Sequence, residues 1–218
     1  MSLVLLLLLG SGAPSQGALA GLLETLAAAE RGKDTLGSCA YSERTVIEEL
    51  DGEGRVVGTV VREYAVVLGR ERQRRVLTSE RFEGEPSSAF RKRPDDEREE
   101  DARQRLAFHP DERARFSFEL AQGAPGTLAL RFAPETPDRH RLRGTALLDA
   151  DSKRVRVVEG EPTRLPRFVD RLKLRYEFAA TPCGDLPVRV RSEGEGGVLF
   201  VKKRFRTTTE LSGHRVGR

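Results

Sequence analysis

The chain has 218 residues, with 38 Lys and Arg against 34 Asp and Glu, so its formal net charge is +4. Charged residues make up 33% and hydrophobic residues only 38%, which excludes a polytopic membrane protein. The apolar residues alternate regularly with polar ones, which is not typical of a disordered chain. Aromatic residues amount to 6%, there is no Trp, and positive and negative charges are interleaved, so we expect no nucleic-acid partner.

An apolar run opens the chain. Residues 3–9 are all Leu or Val, too few to cross a bilayer, which takes roughly 20 residues. Small residues follow, and Ala18-Leu19-Ala20 has the form of a cleavage site. We therefore predict a signal peptide over 1–20 and a periplasmic or secreted protein of the bacterial cell envelope. No Lys or Arg precedes the run, so either the α-amine supplies the positive charge or the true start lies upstream. A buried N-terminal helix is the competing interpretation.

Two cysteines occur, Cys39 and Cys183. In an oxidising compartment such a pair is most often a disulfide, whereas in the cytosol it is most often two unrelated buried thiols. Because the signal peptide predicts export, we favour the bridge. The sequence alone does not show that the two Cα atoms come within the roughly 7 Å that a bridge requires.

The hydrophobic period changes once along the chain. Residues 19–30 have helical spacing, and Gly32 is a natural stop. From Cys39 onward the period is that of strands, beginning with a hairpin over 39–50 and 55–68 and a third, Arg-rich strand over 72–83. Strands resume after residue 115 and continue to the C-terminal region, with a Gly-rich turn predicted at 194–197.

Residues 84–114 interrupt the strands. Prolines punctuate a stretch with few apolar residues, and opposite charges recur at three- and four-residue spacing between Asp95 and Arg105. This spacing favours a solvated surface helix rather than a binding patch. We therefore expect a charged helical insertion here.

The predicted fold is mainly β. About ten antiparallel strands, each apolar on one face, form a single sheet that must curl because strand twist accumulates. We expect a half-barrel with an N-terminal helix and one domain over 21–218. Its concave face is filled by side chains, capped by the helix, or left as a ligand cavity. The residues expected to line that cavity are Tyr64, Phe116, Phe118, Leu128, Leu130, Leu172, Leu174, Tyr176 and Phe178.

The C-terminal third contains a series of strand and turn segments at residues 144–149, 155–162, 168–178, 186–189 and 204–209. Their order resembles the LolA/LolB-like outer-membrane lipoprotein-sorting family and its uncharacterised envelope relatives. The resemblance implies a concave hydrophobic face that shelters acyl chains beneath movable helices, and carriage of a lipid or an acylated protein. We expect no cofactor.

Catalytic and metal motifs are lacking in the sequence. The three histidines are widely separated, and no Cys-x-x-Cys pair or Gly-x-Ser-x-Gly elbow occurs. We therefore expect neither an enzyme nor a metal site. The densest basic cluster is either an edge strand guarded by charge or a peripheral contact with anionic lipid headgroups at a membrane surface. It consists of Arg70, Arg72, Arg74 and Arg75.

Two functions remain open. The first is a non-enzymatic periplasmic protein that binds an apolar ligand or a lipidated partner on the concave face. The second is an envelope scaffold whose concave face is filled by its own side chains.

Export generates the first prediction. N-terminal sequencing of protein recovered from the periplasm or medium is expected to begin near Gly21, because the Ala18-Leu19-Ala20 site precedes it. A mature protein that begins at Met1 and stays in the cytosol would contradict export.

Overall fold

An antiparallel sheet carries most of the chain in the computed structural model, which describes residues 16–35, 38–69, 72–91, 97–101, 106–138, 140–165, 167–198 and 201–217. The helices are α1 (Gln16–Thr35) and the short α2 (Ser88–Arg91), with a 3₁₀ turn at Arg113–Arg115. The strands are β1 (Cys39–Leu50), β2 (Val56–Leu68), β3 (Arg72–Gly84), β4 (Glu97–Asp101), β5 (Phe116–Gln122), β6 (Thr127–Pro134), β7 (Leu142–Asp149), β8 (Val155–Pro162), β9 (Val169–Thr181), β10 (Gly184–Val198) and β11 (Val201–Val216).

The strands form one sheet of eleven in the order β4-β3-β2-β1-β11-β10-β9-β8-β7-β6-β5. Neighbours in the order are neighbours in sequence except where β11 returns to pair with β1. As predicted, the sheet is curled and antiparallel. Within the described residues it does not close into a barrel, since β4 and β5 are separate edges.

The predicted helical period of residues 19–30 is confirmed in α1. Its buried positions are Leu22, Leu26, Ala27 and Glu30, and the intervening residues are mostly exposed. The helix begins at Gln16, so Ala18 to Ala20 lie in its first turns. Residues 1–15, which include the apolar run, lie outside the described residues, and the signal peptide stays a prediction.

The charged insertion differs from the sequence prediction in its secondary structure. Residues 97–101 form strand β4 against β3, not part of a helix over 95–105. The register places Arg72 opposite Asp101, Arg74 opposite Glu99 and Arg75 opposite Arg98. Pairing with β3 is a contact between separate segments of the chain, and the i,i+4 spacing that motivated the prediction carries no information about it.

The Gly-rich turn predicted at 194–197 is also wrong, because β10 continues to Val198. Instead, the glycines allow neighbouring groups to approach the strand closely. A Cβ on Gly194 would overlap the ring of Phe205, and one on Gly196 would overlap the carbonyl of Phe168. Gly inside a strand pattern often marks such an approach of another group.

The outer face of the sheet, opposite α1, carries a ladder of ion pairs. Arg175 pairs with both Glu159 and Glu177, and Arg189 pairs with Glu177 at 3.6 Å and with Glu210 at 2.9 Å. These contacts cross four adjacent strands, β8 to β11. Exposed ion pairs contribute little stability each, so the ladder marks this face as the solvated one.

The predicted Cys39–Cys183 disulfide is confirmed, with the two Cα atoms 6.0 Å apart. Cys39 begins β1 and Cys183 lies in the β9–β10 turn, so the bridge spans β11, which separates β1 from β10 in the sheet. Both sulfurs are buried with Tyr41, Tyr64 and Leu186. The bridge therefore fastens the N-terminal strands to the C-terminal hairpin.

Loss of the bridge should destabilise the fold strongly. The cysteines are 144 residues apart, and on the chain-entropy model closing a loop of this size stabilises the protein by about 5 kcal/mol. We expect Cys183→Ser to lower the denaturant midpoint by a corresponding amount. Alkylation without reductant, followed by intact-mass analysis, should label no thiol in the wild type. Two labelled thiols, or an unchanged midpoint, would contradict this.

Candidate functional site: the inner face of the sheet

The face of the sheet that contacts α1 is called the inner face here. The register of neighbouring strands shows which residues of each strand belong to this face. Leu130 faces Ala146, Ala146 faces Val158, and Val158 faces Tyr176 on successive strands. Because residues directly opposite one another project from the same side, these side chains form one continuous surface. The same rule extends the surface through β10 and β11 to β1 and β2.

The half of the inner face on β5 to β9 is apolar. Leu130, Ala146 and Leu148 have no exposed surface. Two elements cover this half. One is α1, through Leu22 and Leu26, and the other is the segment before β5, whose Phe108 is 1% exposed. Arg113 also binds Glu24 of α1 at 2.6 Å. We call this surface the apolar half.

The structure brings most of the predicted cavity residues together on the apolar half. Phe116, Leu130 and Phe178 are buried in its core, and Phe118, Leu128, Leu174 and Tyr176 are partly buried against that core. Burial raises the pKa of Tyr176 to about 12. Leu172 is partly buried on the same face, opposite Gly194. Tyr64 is separate from the others, since it packs beside the disulfide.

The half of the inner face on β1 to β3 and β11 carries buried charges beside the apolar cluster that surrounds the disulfide. Glu43, Thr45, Glu49 and Arg62 are all buried there. Their partners lie on the same face: Glu80 binds Arg62 at 2.7 Å, Lys203 binds Glu49 at 2.6 Å, and Arg75 binds Glu43. Thr45 shares a hydrogen bond of 3.0 Å with Thr209. We call this surface the polar half.

A short segment, residues 85–91, folds back over the polar half. The backbone N–H of Ser87 donates to Glu49 at 2.6 Å, and Arg62 donates to the carbonyl of Phe90 at 3.1 Å. Pro86 is fully buried on Gly58, where a Cβ would overlap the proline backbone. Phe90 packs on Phe205 with ring centroids 6.4 Å apart. This covering segment thus supplies hydrogen bonds to the buried Glu49 and Arg62 in addition to its own apolar contacts.

The predicted arginine cluster is divided between faces. Arg75 lies on the inner face, bound to Glu43 and 3.7 Å from the ring centroid of Tyr64. Arg74 is exposed on the other side of β3. Arg70 and the side chain of Arg72 lie outside the described residues. A headgroup contact by this cluster stays a prediction, and Arg75 has a structural role on the inner face.

The polar half was not predicted from the sequence. Its signal was the spacing of Glu43, Thr45 and Glu49, which recur at the same parity as the buried apolar residues Cys39 and Tyr41 of β1. Charged residues at the buried parity indicate an ion-paired interior. The apolar positions of β2 obscured this signal, because they suggested an entirely apolar face.

The inner face offers apolar surface, buried ion pairs and hydrogen bonds. In the part of the chain that the structure describes, no three His, Cys, Asp or Glu side chains are grouped as metal ligands would be. None of the described helices is both long and apolar enough to cross a membrane.

The polar half should make stability sensitive to acid. Burial by itself raises the pKa of Glu49, but the Lys203 ammonium and the Ser87 N–H outweigh it and hold that pKa below its ordinary value of 4.5. A lowered folded-state pKa contributes stability that is present above the unfolded value and is lost as the pH falls through the folded one. We expect Glu49→Gln to reduce the loss of unfolding free energy below about pH 4.5.

Chemical denaturation at pH 7 and at a series of lower pH values measures this. Glu53→Gln, in the exposed turn after β1, is the matched control and should leave the acid profile as in the wild type. An identical profile for Glu49→Gln and the wild type would contradict the assignment.

No protein-family model matches this sequence, and no characterised protein is significantly similar to it in sequence. Among solved structures, a DUF1329 family protein from Desulfovibrio piger aligns over 90% of this chain and 92% of its own, with 12% identity and a TM-score of 0.46. A LolA superfamily protein from Nitrosomonas europaea aligns over 91% and 93%, with 11% identity and a TM-score of 0.45. At these scores the likeness is one of fold and carries no argument about function. The fold of this chain is thus similar to that of a LolA superfamily protein, in agreement with the resemblance seen in the sequence.

Proposed function

We propose that this protein binds an apolar ligand, such as an acyl chain of a lipid or of a lipidated partner, on the apolar half of its inner face, outside the cytoplasm and without chemical conversion. The observation that supports this most is the incomplete burial of the apolar half. Around the fully buried centre, Phe118, Leu128, Leu172, Leu174 and Tyr176 are only partly buried. The cover formed by α1 and Phe108 is thus smaller than the apolar surface beneath it.

The attachment of α1 supports a cover that can be displaced. Within the predicted mature chain, its buried side chains are Leu22, Leu26, Ala27 and Glu30, supplemented by partly buried Leu23. Burying a leucine stabilises by roughly 1.5–3 kcal/mol, so an acyl chain that takes the place of the helix side chains can compensate for their loss. The ion pair between Glu24 and Arg113 involves a carboxylate that is 61% exposed, so it adds little.

The second candidate is a scaffold with a filled core. The complete burial of Leu130, Leu148 and Ala146, together with Phe108, favours it. The two functions differ in whether an added apolar molecule finds space between α1 and the sheet. Both require the same inward-facing residues, so binding must be measured directly.

Titration with a fluorescent fatty-acid probe tests the proposal. Wild-type protein should bind the probe saturably. Leu174→Asp should fold yet lose binding, because a carboxylate at the partly buried margin stays hydrated but cannot accept an acyl chain. Lys173→Asp places the same carboxylate on the opposite, exposed side of β9 and should bind as the wild type does.

Circular dichroism and a denaturation curve should accompany each titration. If Leu174→Asp fails to fold, the core is solid at this position and the scaffold is favoured. If the wild type shows no saturable binding, ligand carriage is excluded and the scaffold remains.

A further inference from the structure

The two edges of the sheet differ in how they are protected. Strand β4 has the sequence EREED, and charged residues on an edge strand discourage further pairing. Strand β5 has the sequence FSFELAQ, with Glu119 as its one charged residue and no Lys or Pro, and it pairs with β6 in an unbroken register. Among the described residues, β5 is paired on one side only. Its edge therefore carries one charge, where β4 consists entirely of charged residues.

The hydrogen-bonding direction of β5 follows from the two ends of its ladder with β6. Glu135 donates to the carbonyl of Arg115 at 2.9 Å, and Gly123 donates to that of Thr127 at 3.3 Å. Paired groups alternate along an antiparallel ladder, so Ser117, Glu119 and Ala121 direct their N–H and C=O groups toward β6. The intervening residues direct theirs to the open side; they are Phe118, Leu120 and Gln122.

The residues with open backbone groups also carry the apolar edge of the inner face. Phe118 and Leu120 are partly buried against the apolar core. A strand added at β5 would complete their backbone hydrogen bonds and cover their side chains together. A segment that matches this edge must alternate apolar and polar residues with the same parity as β5.

We propose that β5 pairs with β5 of a second copy of this chain, antiparallel about a two-fold axis, to form a dimer with one continuous sheet. With Leu120 opposite its own symmetry mate, Phe118 faces Gln122 and Glu119 faces Ala121 of the partner copy. This register forms about six backbone hydrogen bonds and opposes no like charges. A register centred on Glu119 would place two carboxylates opposite each other. The two-fold axis also keeps both inner faces on the same side of the sheet.

Charge at position 121 tests the register directly. Ala121→Glu would set a carboxylate opposite Glu119 twice in the dimer, and we expect self-association about tenfold weaker. Ala121→Lys sets an ammonium at the same place and should strengthen it. The double variant Glu119→Lys with Ala121→Glu restores opposite charges and should recover dimerisation. Sedimentation equilibrium on the disulfide-bonded proteins measures the self-association of the wild type and of these three variants.

Variants that weaken and strengthen dimerisation in this order support the pairing. A wild type that stays monomeric at the highest soluble concentration overturns it, as does a dimer that is insensitive to charge at 121. Equal effects of Ala121→Glu and Ala121→Lys overturn it also. Thermal unfolding of each variant shows whether the β5–β6 hairpin is intact. Titration of the monomeric variants with the fatty-acid probe measures ligand binding independently of dimerisation, so failure of one proposal can be told from failure of the other.

Discussion

Side-chain alternation on a single sheet is the constraint on which the rest of this molecule depends. A sheet with one solvated face has to cover the other, and the strand register fixes what that other face contains. Here the alternation places apolar groups on β5 to β9, and it places buried ion pairs beside the apolar cluster of the disulfide on β1 to β3 and β11. Helix α1 and Phe108 cover the first half, and residues 85–91 cover the ion pairs of Glu49 and Arg62 in the second.

The polar half limits where an apolar ligand can lie. Buried Glu49 and Arg62 are bound on both sides, by Lys203 and Glu80 of the sheet and by the backbone of the covering segment. Removing one partner from a buried ion pair costs several kcal/mol, because the remaining charge is left desolvated. An acyl chain supplies no hydrogen bond to offset that loss. The ligand site proposed above is accordingly placed on the apolar half, away from Glu49 and Arg62.

Much of this arrangement was predictable because its signals are local. The periods of α1 and of ten strands were in the sequence, and two cysteines in a chain predicted to be exported allow only one intramolecular pairing. The errors involve non-local contacts. Glu97–Asp101 is a strand through its pairing with β3, and Gly194 and Gly196 continue a strand that passes close to Phe205 and Phe168. The buried ion pairs join residues far apart in sequence, such as Glu49 and Lys203, so no local pattern identified them.

The two covers differ in what their removal costs, and this difference indicates which of them the proposed ligand would displace. Lifting residues 85–91 would leave Glu49 and Arg62 short of hydrogen bonds in a buried site, which is expensive whatever replaces the segment. Lifting α1 exposes mostly apolar side chains together with Glu30, and an apolar molecule of similar surface can restore the apolar part of what is lost. The disulfide holds β1 to the β9–β10 turn, so the polar half and its cover stay fixed to the C-terminal strands while α1 precedes the bridge in the chain. Displacement of α1 thus leaves the sheet, its ion pairs and its bridge in place, as a binding cycle would require.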